Sequence, residues 1–461
     1  MPGRLIETGH GWWAREGGAR EVLRVALPLV ASSISWTILT FIDRIFLLWW
    51  SETSFAASFP AALYWWTLVS LPFGICMYVQ TFVAQYTGAQ QHHMVGRIVW
   101  QGVWLAVLAT PLIVVGWLLA PSIFAWANHS ADVVAEELVY FGYLSWSSPA
   151  LLISCALSGF YAGRGRTRMV ATIDAGAALL NIALDYWWIF GGLGLPAGGI
   201  AGAAIATTVV TWLKVVIYSA LIFRAHHRQH FHTHHWRIDR QLFGKLMYFG
   251  GPGGLQICLE VGGFSVFILM IGSLGLVELA ATNLAFNVSS LAFHPVMGLS
   301  MATSILVGQY LGANREALAV RITWTSMALA CFYMTTISFI YVVFPDLVLF
   351  GFFQAEPTDN REEIRAMGII LLRFVAAYNL FDAMNLVFSF AIKGAGDTHF
   401  VMYVSFVMAV LLVASTWLLR NILNLGIYEC WMLVTGWVCI LGIVYWLRFR
   451  QGRWLSMRVV E

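Results

Sequence analysis

Charged residues are scarce in this sequence. Asp, Glu, Lys and Arg together make up 11% of the 461 residues, and hydrophobic residues make up 60%, whereas soluble domains carry about 25% charged residues. An ordinary soluble fold is therefore excluded. The strict polar–apolar alternation of a transmembrane β-barrel is also missing, and the apolar runs are too long for barrel strands. These absences favour an all-α polytopic membrane protein.

Paired cysteines and a cleavable leader are missing as well. The six cysteines lie singly inside apolar runs, so we expect neither a disulfide framework nor a cysteine metal site. The N-terminus lacks a short apolar core followed by small residues, so we expect no cleaved signal peptide. A membrane-embedded enzyme would need a His–acid or Cys–His cluster at one depth. The sequence shows no such cluster, so we expect no catalytic residues and no cofactor.

Long apolar runs fill most of the chain. About twelve of them, six in each half, reach the roughly 20 residues that cross a bilayer, as in GVWLAVLATPLIVVGWLLAPSIFAW (102–126). Of the 26 Lys and Arg residues, twenty fall on one set of connections, three on the other and three within the runs. This bias predicts a plasma-membrane protein with both termini in the cytoplasm. The excess of positive charge reports orientation, so we expect no nucleic-acid partner.

Short phrases recur between the two halves. VAQYTGA (83–89) returns as VGQYLGA (307–313), GRGRT (163–167) returns as GAGDT (394–398), and Pro28 pairs with Pro252. The offsets are nearly constant, which predicts an internal repeat. We therefore expect two six-helix lobes, residues 1–223 and 246–461, related by an axis along the membrane normal. Between them, 224–245 is a cytoplasmic His-rich linker, which we expect to be solvated and flexible and to form no specific metal site.

Five acidic residues lie inside the predicted spans. A charge at the centre of a transmembrane helix costs about 2.5–3.5 kcal/mol, so intramembrane acids usually mark ion or substrate paths. The alternative is a structural ion pair with one of the three basic residues inside spans, which we favour only for the second acid, near the inner face. The five acids are Asp43, Asp174, Asp185, Glu260 and Asp382, and the three bases are Arg44, Lys214 and Arg373.

Four of these acids form two pairs by depth. Asp43 lies 19 residues after Arg24 and Asp185 lies 17 residues after Arg168, which places both at a similar level toward the outer leaflet at about 1.5 Å per residue. By the same count, Glu260 and Asp382 lie about 16–22 Å from the inner face.

Helical spacing adds polar neighbours to these pairs. Asn181 precedes Asp185 by four residues, and Tyr378 precedes Asp382 by four, so each pair shares a helix face. A carboxylate in a low-dielectric cleft can exchange a proton near neutral pH, and carboxylate, amide and hydroxyl oxygens also suit Na⁺. The residues by themselves leave both ions open.

Taken in order, several segments resemble the multidrug and toxic compound extrusion (MATE) family of secondary transporters. They are PLVASSISWTILTFIDRIFL (28–47), the repeated heptapeptide, NIALDYWWIFGG with GIAGAAIAT (181–207), LEVGGF (259–264) and YNLFDAMNLVFSFAIKGAGDT (378–398). The resemblance covers nearly the full length. One departure is LDYWW, where many members carry a proline after the aspartate; without it a straighter helix is expected.

The resemblance implies a function and two sites. It implies two lobes around a central cleft and export driven by Na⁺ or H⁺. It maps a first-lobe cation site to Asp43, Asn181, Asp185 and Thr207, and a second-lobe cation or substrate site to Glu260, Tyr378 and Asp382. Intramembrane acids outnumber bases five to three, which favours lipophilic or cationic drugs and toxic metabolites as cargo. We expect a bilayer-embedded monomer. The alternative to an exporter is a lipid or lipid-linked glycan flippase, which would have a cationic cleft.

Overall fold

A computed structural model of the chain describes residues 11–126, 129–192, 194, 196–349, 361–421 and 426–460, with side chains to residue 418 in the fifth range. The first ten residues of the predicted N-terminal lobe lie outside the described part. Fifteen α-helices make up nearly all of it: α1 Ala19–Trp50, α2 Glu52–Gly88, α3 His92–Trp126, α4 Ala131–Ser145, α5 Ser147–Ala162, α6 Thr167–Phe190, α7 Gly199–Ile222, α8 Ala225–Phe231, α9 Arg240–Gly272, α10 Leu276–Gly312, α11 Glu316–Val343, α12 Pro345–Leu349, α13 Arg361–Ala395, α14 Thr398–Asn421 and α15 Ile427–Arg450.

Twelve spans in the described residues are long and apolar enough to cross a membrane. Helices α4 and α5 together form one of them, and the short helices α8 and α12 form none. The prediction of an all-helical, multi-pass membrane protein with twelve spans is confirmed. The ninth predicted span, 322–349, differs in its end, because α11 stops at Val343 and Pro345 begins a separate short helix. Proline disfavours helical geometry in the residue before it, which explains the break.

The chain forms two compact units that do not follow the sequence halves. One contains residues 1–30, 263–397 and 407–458; the other contains 31–262, 398–406 and 459–461. Helices α1 and α9 each contribute to both units. The division into lobes at residues 223 and 246 stays a prediction.

The repeated heptapeptide ends two corresponding helices, α2 and α10. In each case the residue after it adopts a left-handed conformation, with φ of +58° at Gln90 and +57° at Asn314. The next backbone N–H then donates back to the carbonyl of Tyr86 (2.9 Å) or Tyr310 (2.8 Å). This six-to-one hydrogen bond satisfies a carbonyl at the helix end that would otherwise have no partner. The phrase recurs because both halves use the same helix cap.

The second repeated phrase also has one structural role in both halves. A Cβ on Gly163 would lie 2.5 Å from a backbone carbonyl oxygen of α2, and one on Gly394 would lie 2.6 Å from a carbonyl oxygen of α10. Gly165 and Gly396 then take positive φ angles of +73° and +118°, which glycine adopts without strain. In both halves the first glycine of the phrase allows close helix packing, and the second allows a tight turn into the next span.

Candidate functional site

Two buried carboxylates lie together in the unit formed mainly by residues 31–262. Asp43 on α1 is 9% exposed, and Asp185 on α6 is fully buried. Their charges interact. Asn181, one helical turn before Asp185, is also buried. The structure thus brings together the acids that the sequence places at one depth.

Asn181 connects α6 to α7. With its amide oriented to satisfy both neighbours, Nδ2 donates to Asp185 Oδ2 at 3.0 Å and the side-chain oxygen accepts from the Thr207 backbone N–H at 3.1 Å. Thr207 therefore enters the site through its backbone. Its hydroxyl is not needed for this contact.

Tyr140 on α4 is a member of this site that the sequence analysis missed. It is buried, and its hydroxyl donates to Asp43 Oδ2 over a long 3.4 Å. The only signal in the sequence was Glu137, three residues earlier on the same helix face, which marks a polar stripe along the fourth span. Glu137 itself is buried and contacts His129 at 2.7 Å.

One oxygen of each carboxylate lacks a hydrogen-bond partner among the described residues. Asp43 Oδ1 and Asp185 Oδ1 are buried and have no hydrogen-bond partner among the described residues. A buried polar atom without a partner costs free energy, so such an atom calls for an explanation. Two carboxylates in this state are suited to receiving a proton or a small cation.

Close helix packing holds α6 and α7 at this spacing. A Cβ on Gly202 would lie 2.3 Å from the backbone carbonyl oxygen of Trp188, and the Gly198 N–H donates to the same oxygen at 2.9 Å. Small residues at such positions let transmembrane backbones approach. Helix α6 runs unbroken through Asp185 to Phe190, as expected for a segment without the proline.

Asp174 belongs to a different environment on the same helix. Its carboxylate pairs with Lys214 on α7 at 2.7 Å and accepts a hydrogen bond from Ser32 on α1. This is the structural ion pair that we favoured for this residue. Arg44, another of the three basic residues inside spans, lies over the ring of Phe59 at 5.1 Å.

The residues expected in the second-lobe site occur in both compact units. Glu260 is exposed, belongs to the unit with residues 31–262 and accepts a hydrogen bond from Gln256 at 2.8 Å. In the other unit, the buried Tyr378 hydroxyl lies 3.3 Å from Ser289 Oγ. Asp382, on the same helix, accepts a 3.4 Å contact from Asn385. The role of these residues in binding stays a prediction.

Asp43 and Asp185 have few neighbouring groups that could act as ligands. Within the described ranges, no group of three or more His, Cys, Asp or Glu side chains is placed to hold a metal ion. Two carboxylates supply two negative charges, and the donors from Tyr140 and Asn181 already satisfy one oxygen on each.

Comparison with known proteins agrees with this architecture. The sequence matches the MatE family over residues 28–187 and 252–418. It is 27% identical over 395 residues to "Multidrug resistance protein MdtK" of Yersinia pestis (strain Pestoides F), covering 84% of each chain, and 28% identical to the protein of the same name from Yersinia enterocolitica, with the same coverage.

Solved structures share the fold. A eukaryotic MATE transporter, AtDTX14, superposes with a TM-score of 0.82 at 21% identity, covering 95% of this chain and 96% of that one. A MOP superfamily transporter from Pyrococcus furiosus superposes with a TM-score of 0.85 at 16% identity, covering 95% and 97%. The chain belongs to the multidrug and toxic compound extrusion (MATE) family of membrane transporters and is not an enzyme.

Proposed function

We propose that this protein is a proton-coupled antiporter that exports lipophilic or cationic drugs and toxic metabolites. The observation that carries the proposal is the pair of unpartnered oxygens on Asp43 and Asp185. Two like charges in a low-dielectric site cannot easily both be ionised, so one proton shared by the pair relieves the repulsion. Binding and release of that proton would bias the helices that carry the acids between two packings.

The hydrogen bonds around the acids favour H⁺ over Na⁺. A hard cation is held by a cage of several oxygen ligands. Here the Asn181 oxygen is already engaged by a backbone N–H, and its nitrogen faces Asp185. The Tyr140 hydroxyl directs its proton toward Asp43. Two carboxylate oxygens remain without a hydrogen-bond partner. Two oxygens are enough to share a proton but too few to surround a sodium ion.

Cationic cargo is supported by the charges inside the spans. Of the three intramembrane bases, Lys214 is neutralised by Asp174 and Arg44 lies against an aromatic ring. The relatives from Yersinia are named multidrug resistance proteins. We propose that Glu260 and Asp382, with Tyr378, contribute to cargo binding through charge and through cation–π contacts with nearby rings.

Energised vesicles test the transport proposal. Inside-out vesicles are incubated with a panel of cationic and neutral dyes under an imposed pH gradient or an imposed Na⁺ gradient. We expect dye accumulation with the pH gradient alone, and reduced accumulation for Glu260→Gln and for Asp382→Asn at equal expression. Accumulation driven only by Na⁺ would refute proton coupling. Faster movement of lipid-linked phosphates without dye transport would favour the flippase interpretation.

We also propose that both termini face the cytoplasm and that the protein acts as a monomer. The support for orientation is the distribution of Lys and Arg along the sequence. A cysteine introduced at the exposed His234 should react with a membrane-impermeant maleimide in inside-out vesicles and not in intact cells. The opposite pattern would contradict the orientation, and a dimeric mass in mild detergent would contradict the monomer.

A further inference from the structure

The segment that the sequence predicts to be a flexible linker is packed against α3. The indole N–H of Trp100 donates to the Thr233 carbonyl at 2.8 Å, and that of Trp104 donates to the Trp236 carbonyl at 2.6 Å. A Cβ on Gly96 would lie 2.4 Å from a backbone oxygen of the segment. These contacts hold the segment against α3, which differs from the flexible linker expected from the sequence, while many of its side chains remain exposed.

A cavity of about 540 Å³ opens where this segment meets α3 and the start of α9. Its lining is strongly basic and includes His93, Arg97, His232, His235, Arg237 and Arg240. The one acid in the lining, Asp239, pairs with Arg97 at 2.5 Å and also accepts backbone N–H bonds from the first turn of α9. Three arginines against one aspartate leave a net charge of +2 with neutral histidines. Within the described residues, Arg237 and Arg240 form no ion pair.

A buried side chain holds the cavity wall in place. Gln101 on α3 is fully buried. Its amide nitrogen donates to the Arg237 carbonyl at 3.2 Å, and its oxygen accepts from the Asp239 N–H at 3.0 Å. The backbone that carries both arginines is therefore anchored before any ligand arrives. Such a preformed wall lowers the ordering cost of binding.

The residue that precedes the lining residue Arg237 in the chain, Trp236, is typical of a membrane interface. Trp236 is 58% exposed and stacks on Trp104 with ring centroids 6.4 Å apart. Ile238, in the cavity wall, is also exposed. Tryptophan side chains are enriched at the headgroup level of bilayers. A basic pocket at that level between transmembrane helices matches the chemistry of an anionic lipid headgroup.

We propose that this cavity binds the phosphate-bearing headgroup of an anionic lipid of the adjacent leaflet. Arg237 and Arg240 contact the phosphate, and Trp236 with Ile238 contacts the acyl region. A cationic cargo is disfavoured by the three arginines. A transition metal is disfavoured because, in the described part of the chain, no three His, Cys, Asp or Glu side chains are placed to hold one. The site is separate from the coupling acids and does not depend on the proposed function.

Lipid binding to the purified full-length protein tests the assignment. Native mass spectrometry would measure the affinity for phosphatidylglycerol, phosphatidylcholine and inorganic phosphate. The variant is Arg237→Gln with Arg240→Gln. The matched control, with the same charge change, is Arg450→Gln with Arg453→Gln, two exposed arginines outside the cavity. Unchanged melting temperatures in phosphatidylcholine would establish that both double variants are folded.

We expect phosphatidylglycerol to bind more tightly than phosphatidylcholine, and its affinity to fall roughly 30-fold in the cavity variant, the effect of removing two surface cations. The control variant should change by less than about threefold. Equal losses in both variants would mean nonspecific attraction and would overturn the proposal. Displacement of the lipid by millimolar inorganic phosphate would assign the site to a free anion instead. A cavity variant that no longer folds in phosphatidylcholine would also refute it, because these side chains would then be structural.

Discussion

Two aspartates on one helix offer a sharp test of proton coupling. Asp174 and Asp185 both lie on α6, and replacement by Asn preserves the shape of either side chain. Their surroundings differ, since Asp174 pairs with Lys214 and Asp185 lies within electrostatic range of another acid, Asp43. The same substitution should therefore have opposite effects on stability and on coupling at the two positions.

The magnitudes follow from the partners. In Asp185→Asn the remaining side-chain oxygen can still accept from Asn181, and the charge is removed. Because a charge at a helix centre costs about 2.5–3.5 kcal/mol, we expect a change between zero and about 3 kcal/mol in the stabilising direction. Asp174→Asn leaves Lys214 without its partner. Both side chains are about one-fifth exposed (21% and 20%), so the expected loss of about 1–3 kcal/mol falls between a surface pair and a fully buried one.

Transport and unfolding are measured on the same preparations. Thermal unfolding followed by a thiol-reactive dye reports exposure of the buried Cys76 and Cys430. Proteoliposomes then give export driven by a pH gradient and counterflow with cargo on both sides and no gradient. We expect Asp185→Asn, and likewise Asp43→Asn, to lose gradient-driven export and retain counterflow. Asp174→Asn should retain both per folded molecule.

Two results would refute this reasoning. If Asp185→Asn loses counterflow as completely as gradient-driven export, the residue binds cargo or maintains structure, and its coupling role is wrong. If Asp174→Asn also loses gradient-driven export while remaining folded, an acid in a structural ion pair would matter for coupling as much as an acid near a second acid. The proximity of Asp43 and Asp185 would then not identify the coupling residues.

Three further substitutions test the surroundings of the site and the repeat. Tyr140→Phe removes one long hydrogen bond to Asp43, so the initial rate of pH-driven export should fall about two- to tenfold, corresponding to roughly 0.5–1.5 kcal/mol, with the melting temperature nearly unchanged. Gly202→Ala introduces a Cβ into a backbone carbonyl of α6 and should lower stability by about 1–3 kcal/mol, whereas Gly176→Ala, which meets open space, should be neutral in the same unfolding assay. Gly396→Ala, at φ +118°, should cost about 1–3 kcal/mol and more than Gly165→Ala, whose φ of +73° is closer to the left-handed region; equal costs would refute the argument from backbone conformation.

The sequence predicted features that depend on position along the chain. Span number, the repeat and the common depth of Asp43 and Asp185 all follow from counting residues, because a helix rises by a fixed amount per residue. The count could not give the rotation of each helix about its axis. Tyr140 therefore went unnoticed, and the partner of Asp174 was one of three candidate bases. The packing of the linker against α3 was not predicted because its contacts come from tryptophan indoles and backbone groups more than 130 residues apart, which no local pattern records.

The repeat also indicates that the first-lobe acids are not demanded by the fold. With the offset of Pro28 and Pro252, the counterpart of Asp43 is Phe267. With the offset of the GRGRT and GAGDT turns, the counterparts of Asn181 and Asp185 are Leu412 and Thr416.

These counterparts have an apolar environment. Phe267 and Leu412 lie together in one hydrophobic cluster with Ile271, Cys430 and Val434, and the Thr416 hydroxyl bonds to the Leu412 carbonyl of its own helix at 2.7 Å. The second half thus has two apolar side chains and one hydroxyl bonded within its own helix at the corresponding positions of α9 and α14. Buried ionic groups can often be replaced together by well-packed apolar groups without loss of stability, so a requirement of packing does not account for Asp43 and Asp185. The proposed coupling role would account for their free-energy cost, because the two halves differ at the position of the proposed site.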